Sequence, residues 1–326
     1  MPLAEDTVIQ PKLRVQKIEK SDKIFDLIII GGGPAGLAAG IYGGRSMLDL
    51  LIIESSILGG QVASIDFVEN YPGFPEGISG MDLCKSMEDH AANMGANFVY
   101  GTASKVSAQG KMIAVNVDEK VYKTKSLIVS SGAKPKKLNI PGEETFRGKG
   151  VSYCAVCDGS FYRDKKIIVA GGGNTAVQEA IYLTRFASSV SIVHRRDRLR
   201  ADKILIERAK LDPKIFFVWN SVLTEILGDE KVRNVVIKDV KTAEITKIDA
   251  EGVFVYIGAS PETGFIKDLI KIDESGYIIT DENMKTSVDG IYAAGDVRKK
   301  ELDQIVTAMS DGAVAAMSAV KYLENK

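Results

Sequence analysis

Short apolar runs that stop abruptly at glycines set the pattern of this chain. Residues 25–30, Phe-Asp-Leu-Ile-Ile-Ile, read as a buried strand because apolar residues follow one another without helical spacing, up to Gly31-Gly32-Gly33. The period then becomes helical. Residues 50–54 read as a second strand, residues 59–80 as a loop rich in Gly and Pro, and residues 81–95 as a helix. Residues 97–131 alternate like antiparallel strands and end at Leu127-Ile128-Val129-Ser130-Ser131-Gly132. A second apolar run, residues 167–170, enters Gly171-Gly172-Gly173; further strands are expected at residues 252–258 and 291–294, and a helix of small residues at 304–323.

The two glycine turns are copies of one unit. Superimposing Gly31 on Gly171 also places Ile41-Tyr42 on Ile181-Tyr182, Arg45 on Arg185, and Glu54 on His194. This is an internal duplication of a βαβ unit. The expected fold class is α/β, with two Rossmann-like three-layer (ββα) dinucleotide-binding domains, the second inserted into the first. The last helix cannot form a domain alone, so residues 1–132 and 264–326 form the first domain and residues 138–258 the second. Residues 133–137 and 259–263, at the start of crossings that span 133–141 and 259–264, are expected to act as hinges.

Composition narrows the functional classes. With 326 residues and 45% hydrophobic content the chain can bury a large core. Its 42 Lys+Arg balance 43 Asp+Glu, so no overall field favours nucleic acid or an anionic membrane. Residues 28–44 approach membrane length, but their glycines, Pro34 and the change of period at Gly31 argue against a span. The first twenty residues mix charges with scattered apolar positions and lack a signal-peptide core, so a cytoplasmic location is the default expectation.

In the first copy, Gly31, Gly33 and Gly36 let the backbone approach a pyrophosphate, and the helix start at Pro34, Ala35 and Gly36 offers free N–H groups. Glu54 ends the next strand, where a carboxylate accepts from ribose hydroxyls and repels a 2′-phosphate. That selects an unphosphorylated adenosine such as that of FAD or NAD. The second copy, Gly171, Gly173, Asn174, Thr175 and Ala176, has His194 at the matching position, followed by Arg195 and Arg196, with Arg198 and Arg200 beyond. Cations there favour NADPH over NADH; a solvated basic loop is the plain alternative.

Between the copies lies Cys154-Ala155-Val156-Cys157. Three cysteines are too few for a disulfide framework. A zinc site would need more ligands than Cys84, His90 and His194 can offer, so no metal is expected. Inert buried thiols are another reading, but a redox dithiol accounts best for the spacing. Asp158, partly buried, could deliver a proton to a leaving thiolate, or simply cap a turn before Gly159. Cys84 lies among Met81, Leu83 and Met87 and reads as a core thiol.

Taken in order, the two glycine turns, Cys154-Ala155-Val156-Cys157-Asp158-Gly159, His194-Arg195-Arg196-Asp197-x-x-Arg200 and Gly295-Asp296 resemble the low-molecular-weight thioredoxin reductases, from about Phe25 to Leu323. The resemblance implies FAD held by the first turn, by Glu54, Gly59, Gly60 and Gln61, by Asn70 and Gly132, and by Gly295 and Asp296 with Gln304 and Ile305. It implies NADPH at the second turn, a homodimer, and thioredoxin or a similar small protein as partner. It further implies that Cys157 faces the flavin, Cys154 attacks the partner's disulfide, and Asp158 serves as acid and base. The Arg-Gln pair usual before the final helix is here Asp303-Gln304, which keeps two other readings open: a related flavin enzyme using ferredoxin or NADH, or one serving a peroxiredoxin. A nucleotide sensor without turnover is the reading from a different class, separable by Cys154→Ser.

Overall fold

The computed structural model describes residues 23–325; the charged N-terminal residues 1–22, on which the absence of a signal-peptide core was read, and Lys326 lie outside the described residues. The chain divides into two compact units, one running to Ala133 and resuming at Pro261, the other Lys134–Ser260. Each unit is described in turn.

In the first unit the strand Ile24–Ile30 sits at the centre of a sheet. Its Leu27, Ile28 and Ile29 are fully buried because both faces are covered, which is why its sequence shows a continuous apolar run and no alternation. It pairs in parallel with Leu50–Glu54 on one side and Lys120–Val129 on the other. The helix Pro34–Arg45 follows the glycine turn directly. Gly31 has φ +102°, and a Cβ there would lie 2.2 Å from the Ser130 carbonyl oxygen, so only glycine lets the two strand ends come this close.

Residues 97–131 depart from the all-antiparallel expectation. Ala103–Gln109, Met112–Val117 and the first half of Lys120–Val129 do form an antiparallel meander. Asn97–Tyr100, however, pairs in parallel with Leu50–Glu54 at the sheet edge. The helix Gly80–Asn93 carries the chain over from one of these strands to the other, and a crossover of that length returns it parallel. The second half of Lys120–Val129 receives Ile291–Ala293 as a further parallel neighbour, which ties the returning C-terminal part of the chain into the same sheet. The loop after Glu54 carries a 3₁₀ turn, Gly60–Ser64, and a bridge between Val68 and Ile78. The final helix is Ile305–Glu324, with Gln304 as its N-cap in a reciprocal pair with Thr307.

The second unit repeats the arrangement. Five parallel strands lie in the order Ile215–Val218, Ser189–Val193, Lys166–Gly171, Gly252–Tyr256 and Val151–Ser152. Asn174–Leu183 is the helix after the second glycine turn. Gly171, at φ +146°, approaches the Tyr256 carbonyl oxygen as Gly31 approaches Ser130, with 2.2 Å to a Cβ placed there. The duplication therefore extends to the contact between turn and closing strand. An antiparallel meander, Ser221–Gly228, Val232–Asp239 and Ile245–Asp249, completes this unit. The crossing segments meet as a two-stranded ladder, Ala133–Pro135 with Ala259–Pro261. Among the described residues no helix is long and apolar enough to cross a membrane.

Candidate functional site

The first glycine turn presents a helix start with no side-chain cap, so its leading N–H groups keep their hydrogen-bonding capacity. A Cβ on Gly33 would meet nothing within 4 Å, which leaves room for a bulky anion against Pro34, Ala35 and Gly36. Glu54 is buried, and its two oxygens accept from Gly32 N–H at 2.7 Å and Ser56 N–H at 2.8 Å. Two acceptor oxygens carry more lone pairs than these two amides use, so the carboxylate can still receive ribose hydroxyls.

Other candidate residues are brought together within the same unit. Gln61 donates from Nε2 to the Ala133 carbonyl at 2.7 Å, beyond Gly59, Gly60 and next to Gly132 in the chain. Asn70 donates to Gln304 Oε1 at 2.8 Å, linking the long loop to the start of the last helix at Ile305. Gly295 and Asp296 are held by a residue the sequence did not single out, Asp311. It is buried, accepts from Gly295 N–H at 3.1 Å, and pairs with Arg298 at 3.2 Å and Lys300 at 3.4 Å. Lys300 also pairs with Asp296 at 3.1 Å. A lone acid inside a helix of small residues was the signal available. Asp303 is pushed up by burial and by neighbouring Asp296 and Asp311, against the pull of Lys300.

At the second turn Gly173 leaves the same open space, and the helix start is again uncapped by a side chain. Exposed Thr175 and buried Ala176 follow. The Asn174 side chain reaches across to the arginine loop: its Nδ2 donates to Asp202 at 3.0 Å and its Oδ1 accepts from Asp202 N–H at 2.7 Å. With Arg200 N–H donating to the Gly172 carbonyl at 2.7 Å, this pins the arginine loop beside the turn. Arg195, Arg196, Arg198 and Arg200 are exposed.

His194, placed by the sequence among the cations, is instead 4% exposed, with its ring against Gly172. Burial first, then repulsion from Arg200, Arg196 and Arg195, holds its imidazole below the usual 6.5. It is neutral at pH 7, and the positive charge at this site comes from the arginines alone.

The dithiol stands on the same unit. Cys154 and Cys157 form a disulfide, and Cys154 Sγ accepts from Cys157 N–H at 3.1 Å, capping the single helical turn Ala155–Asp158. Cys157 is exposed and Cys154 half-buried, while Ala155 between them is 1% exposed and anchors the turn in the core. Val151–Ser152, Gly252–Tyr256 and Lys166–Gly171 are mutually parallel. Their carboxyl ends, and hence the dithiol and the second glycine turn, share one sheet edge, where ligands bind in open α/β sheets. Asp158 accepts from the Ser152 hydroxyl at 2.7 Å. Cys84, buried near Gly59, has its thiol pushed up to about 11 by burial and is inert at neutral pH.

The pyridine nucleotide-disulphide oxidoreductase family pattern matches residues 25–312. The thioredoxin reductase of Bacillus subtilis (strain 168) is 48% identical over 304 residues, covering 93% of this chain and 96% of that protein. That of Peptoclostridium acidaminophilum is 46% identical, covering 93% and 98%. A crystal structure of thioredoxin reductase from Lactococcus lactis superimposes with a TM-score of 0.91 at 46% identity, covering 93% of this chain and 100% of that one. Paired glycine turns, an acid and an arginine loop at equivalent positions, and a dithiol on the second sheet edge agree with these likenesses, and the chain belongs to the pyridine nucleotide-disulphide oxidoreductase family.

Proposed function

We propose that this protein is an NADPH-dependent thioredoxin-disulfide reductase that carries FAD. The observation that bears most weight is the dithiol on the same sheet edge as a nucleotide turn flanked by four exposed arginines. Glu54 and the open space at Gly33 suit the adenosine and pyrophosphate of FAD, with Gln61, Asn70, Asp296 and Gln304 as further holding residues. Arg195, Arg196 and Arg200 suit the 2′-phosphate of NADPH at the second turn. FAD, when bound, supplies a two-electron relay between nicotinamide and dithiol.

In the reaction of the chain's own residues, two electrons and two protons convert the Cys154–Cys157 disulfide to thiols. Asp158 takes the proton of Cys154, whose thiolate attacks the disulfide of thioredoxin or a similar small protein. One substrate S–S bond breaks as the mixed disulfide forms, and Asp158 returns its proton to the departing sulfur. Cys157 then displaces the second substrate sulfur and restores the disulfide. Nicotinamide and dithiol belong to one unit, so rotation about residues 133–137 and 259–263 would alternate them at the flavin. The protein would act as a homodimer in the cytoplasm.

Anaerobic mixing with NADPH tests the reading: the flavin bleaches, two new thiols appear per chain, and NADH is markedly less effective. Bleaching by reduced ferredoxin and not by NADPH would replace the donor, the outcome that Asp303 in place of the usual arginine favours. Cys154→Ser must abolish thioredoxin reduction while FAD and nucleotide stay bound; a sensor would be indifferent to it.

A further inference from the structure

Beneath the dithiol lies a polar side chain that the reaction above leaves without a role. Ser152 ends the edge strand Val151–Ser152 and is 3% exposed. Its hydroxyl donates to Asp158 Oδ2 at 2.7 Å, accepts from Cys154 N–H at 3.1 Å, and lies 3.2 Å from the Cys154 carbonyl oxygen. A hydroxyl has one proton and two lone pairs. The Cys154 amide occupies one lone pair. The proton then has two alternative acceptors, the Asp158 carboxylate and the Cys154 carbonyl, and the second lone pair remains open.

We propose that Ser152 is the positioning residue of the acid–base step, holding Asp158 beside the dithiol in both of its protonation states. Toward the carboxylate it donates. When Asp158 has taken the Cys154 proton, the carboxylic acid donates into the open lone pair and the Ser152 proton turns to the Cys154 carbonyl. The exchange consumes no oxidant or reductant of its own. A proton leaves the Cys154 thiol for Asp158 and passes to the departing substrate sulfur, so Asp158 begins and ends as carboxylate. Because Ser152 also receives the Cys154 amide, one buried hydroxyl fixes the acid and the nucleophile's backbone in a common frame. An apolar residue there would leave Asp158 free to swing toward solvent.

The two neighbouring phenols keep their protons. Tyr162 and Tyr256 face Asp158 from neighbouring elements, and burial pushes both phenols up, Tyr162 to about 12, so neither titrates in the working range. Glu179 is the other carboxylate near Tyr256. The Ser152 hydroxyl, donating at 2.7 Å, is in direct contact with the Asp158 carboxylate.

The inference rests on the reading in which Asp158 is acid and base, and the test separates the two. Thioredoxin turnover is measured from pH 5 to 9 for the wild type, Asp158→Asn, Ser152→Ala, Ser152→Thr and Ser152→Ala/Asp158→Asn, with FAD content and alkylation rate of the reduced dithiol alongside. Ser152→Ala should lower turnover by about 10- to 30-fold and move its acid limb up by about one pH unit, because the carboxylate has lost a donor. Ser152→Thr should restore both to within about threefold, and Ser152→Ala should cost far less in the Asp158→Asn background than in the wild type, leaving only the loss of the Cys154 amide bond. Ser152→Gly repeats the measurement should the alanine variant fail to bind FAD. Unchanged turnover in Asp158→Asn would remove the acid–base reading and this role with it. A large loss in Asp158→Asn together with a wild-type pH profile in Ser152→Ala, or additive losses in the double variant, would overturn the role of Ser152 alone.

Discussion

Glu143 offers a sharp test of how the dithiol unit is held to its crossing segment. Its carboxylate is 2% exposed and accepts three hydrogen bonds: Leu138 N–H at 2.7 Å and the Tyr153 hydroxyl at 2.7 Å on Oε1, and Asn139 N–H at 2.6 Å on Oε2. Asn139 has φ +56°, so this carboxylate stabilises a left-handed turn just where the crossing enters the second unit. It also fastens Tyr153, the residue before Cys154; burial and then the Glu143 charge push that phenol up. In Glu143→Gln the remaining oxygen can serve Leu138 and Tyr153, but the amide nitrogen confronts the Asn139 N–H with a second donor. One buried N–H is left unmade, at about 1–3 kcal/mol, and two charge-assisted bonds become neutral, at roughly 1 kcal/mol each. The total, about 3–5 kcal/mol, is large against the stability of an ordinary domain. Trp219 is the only tryptophan and lies in this unit, stacked on Phe217 at 5.0 Å, so its fluorescence reports the unfolding of the unit. With a urea slope of about 2 kcal/mol per molar, the midpoint should fall by about 1.5–2.5 M, and the Leu138 and Asn139 amides should lose exchange protection. Tyr153→Phe, which removes one donor only, should cost about 1 kcal/mol. A Glu143→Gln midpoint unchanged from wild type, with both amides still protected, would refute the reasoning.

Three further expectations follow from single groups. Glu54→Gln should weaken FAD binding about 10- to 100-fold, measured as flavin released on dilution, since hydrogen bonds to a charged group are worth ~1.5–3 kcal/mol; full retention would deny Glu54 a role at the adenosine. Arg195→Ala/Arg196→Ala should cut the kcat/KM preference for NADPH over NADH by about 10- to 100-fold while NADH turnover holds, and equal losses for both nucleotides would place the phosphate elsewhere. His194 is held below 6.5 in the folded chain, so the unfolded state binds more protons there, and stability should decline as pH falls through about 6.5. His194→Gln should flatten that slope in urea titrations at pH 5.5 and 7.5.

What the chain's order alone determined is the local backbone chemistry: where strands stop, where helices start, and which residue types follow. Gly31 and Gly171 announce their turns because φ of +102° or +146°, with a carbonyl oxygen 2.2 Å from where a Cβ would stand, suits glycine alone, and that demand is met one position at a time. Glu54 and the arginine loop were legible because a strand of fixed length carries them back to the turn. Tertiary structure alone decided which groups lie across from one another. The direction of Asn97–Tyr100 depends on the crossover before it, the neutrality of His194 on its burial against Gly172, and the holding of Gly295 on Asp311 from a helix later in the chain. Ser152, Glu143 and Asp311 are ordinary polar residues by composition. Their roles come from burial and from partners that folding brings within about 3 Å, where a hydrogen bond withheld from water leaves its donor or acceptor no other choice.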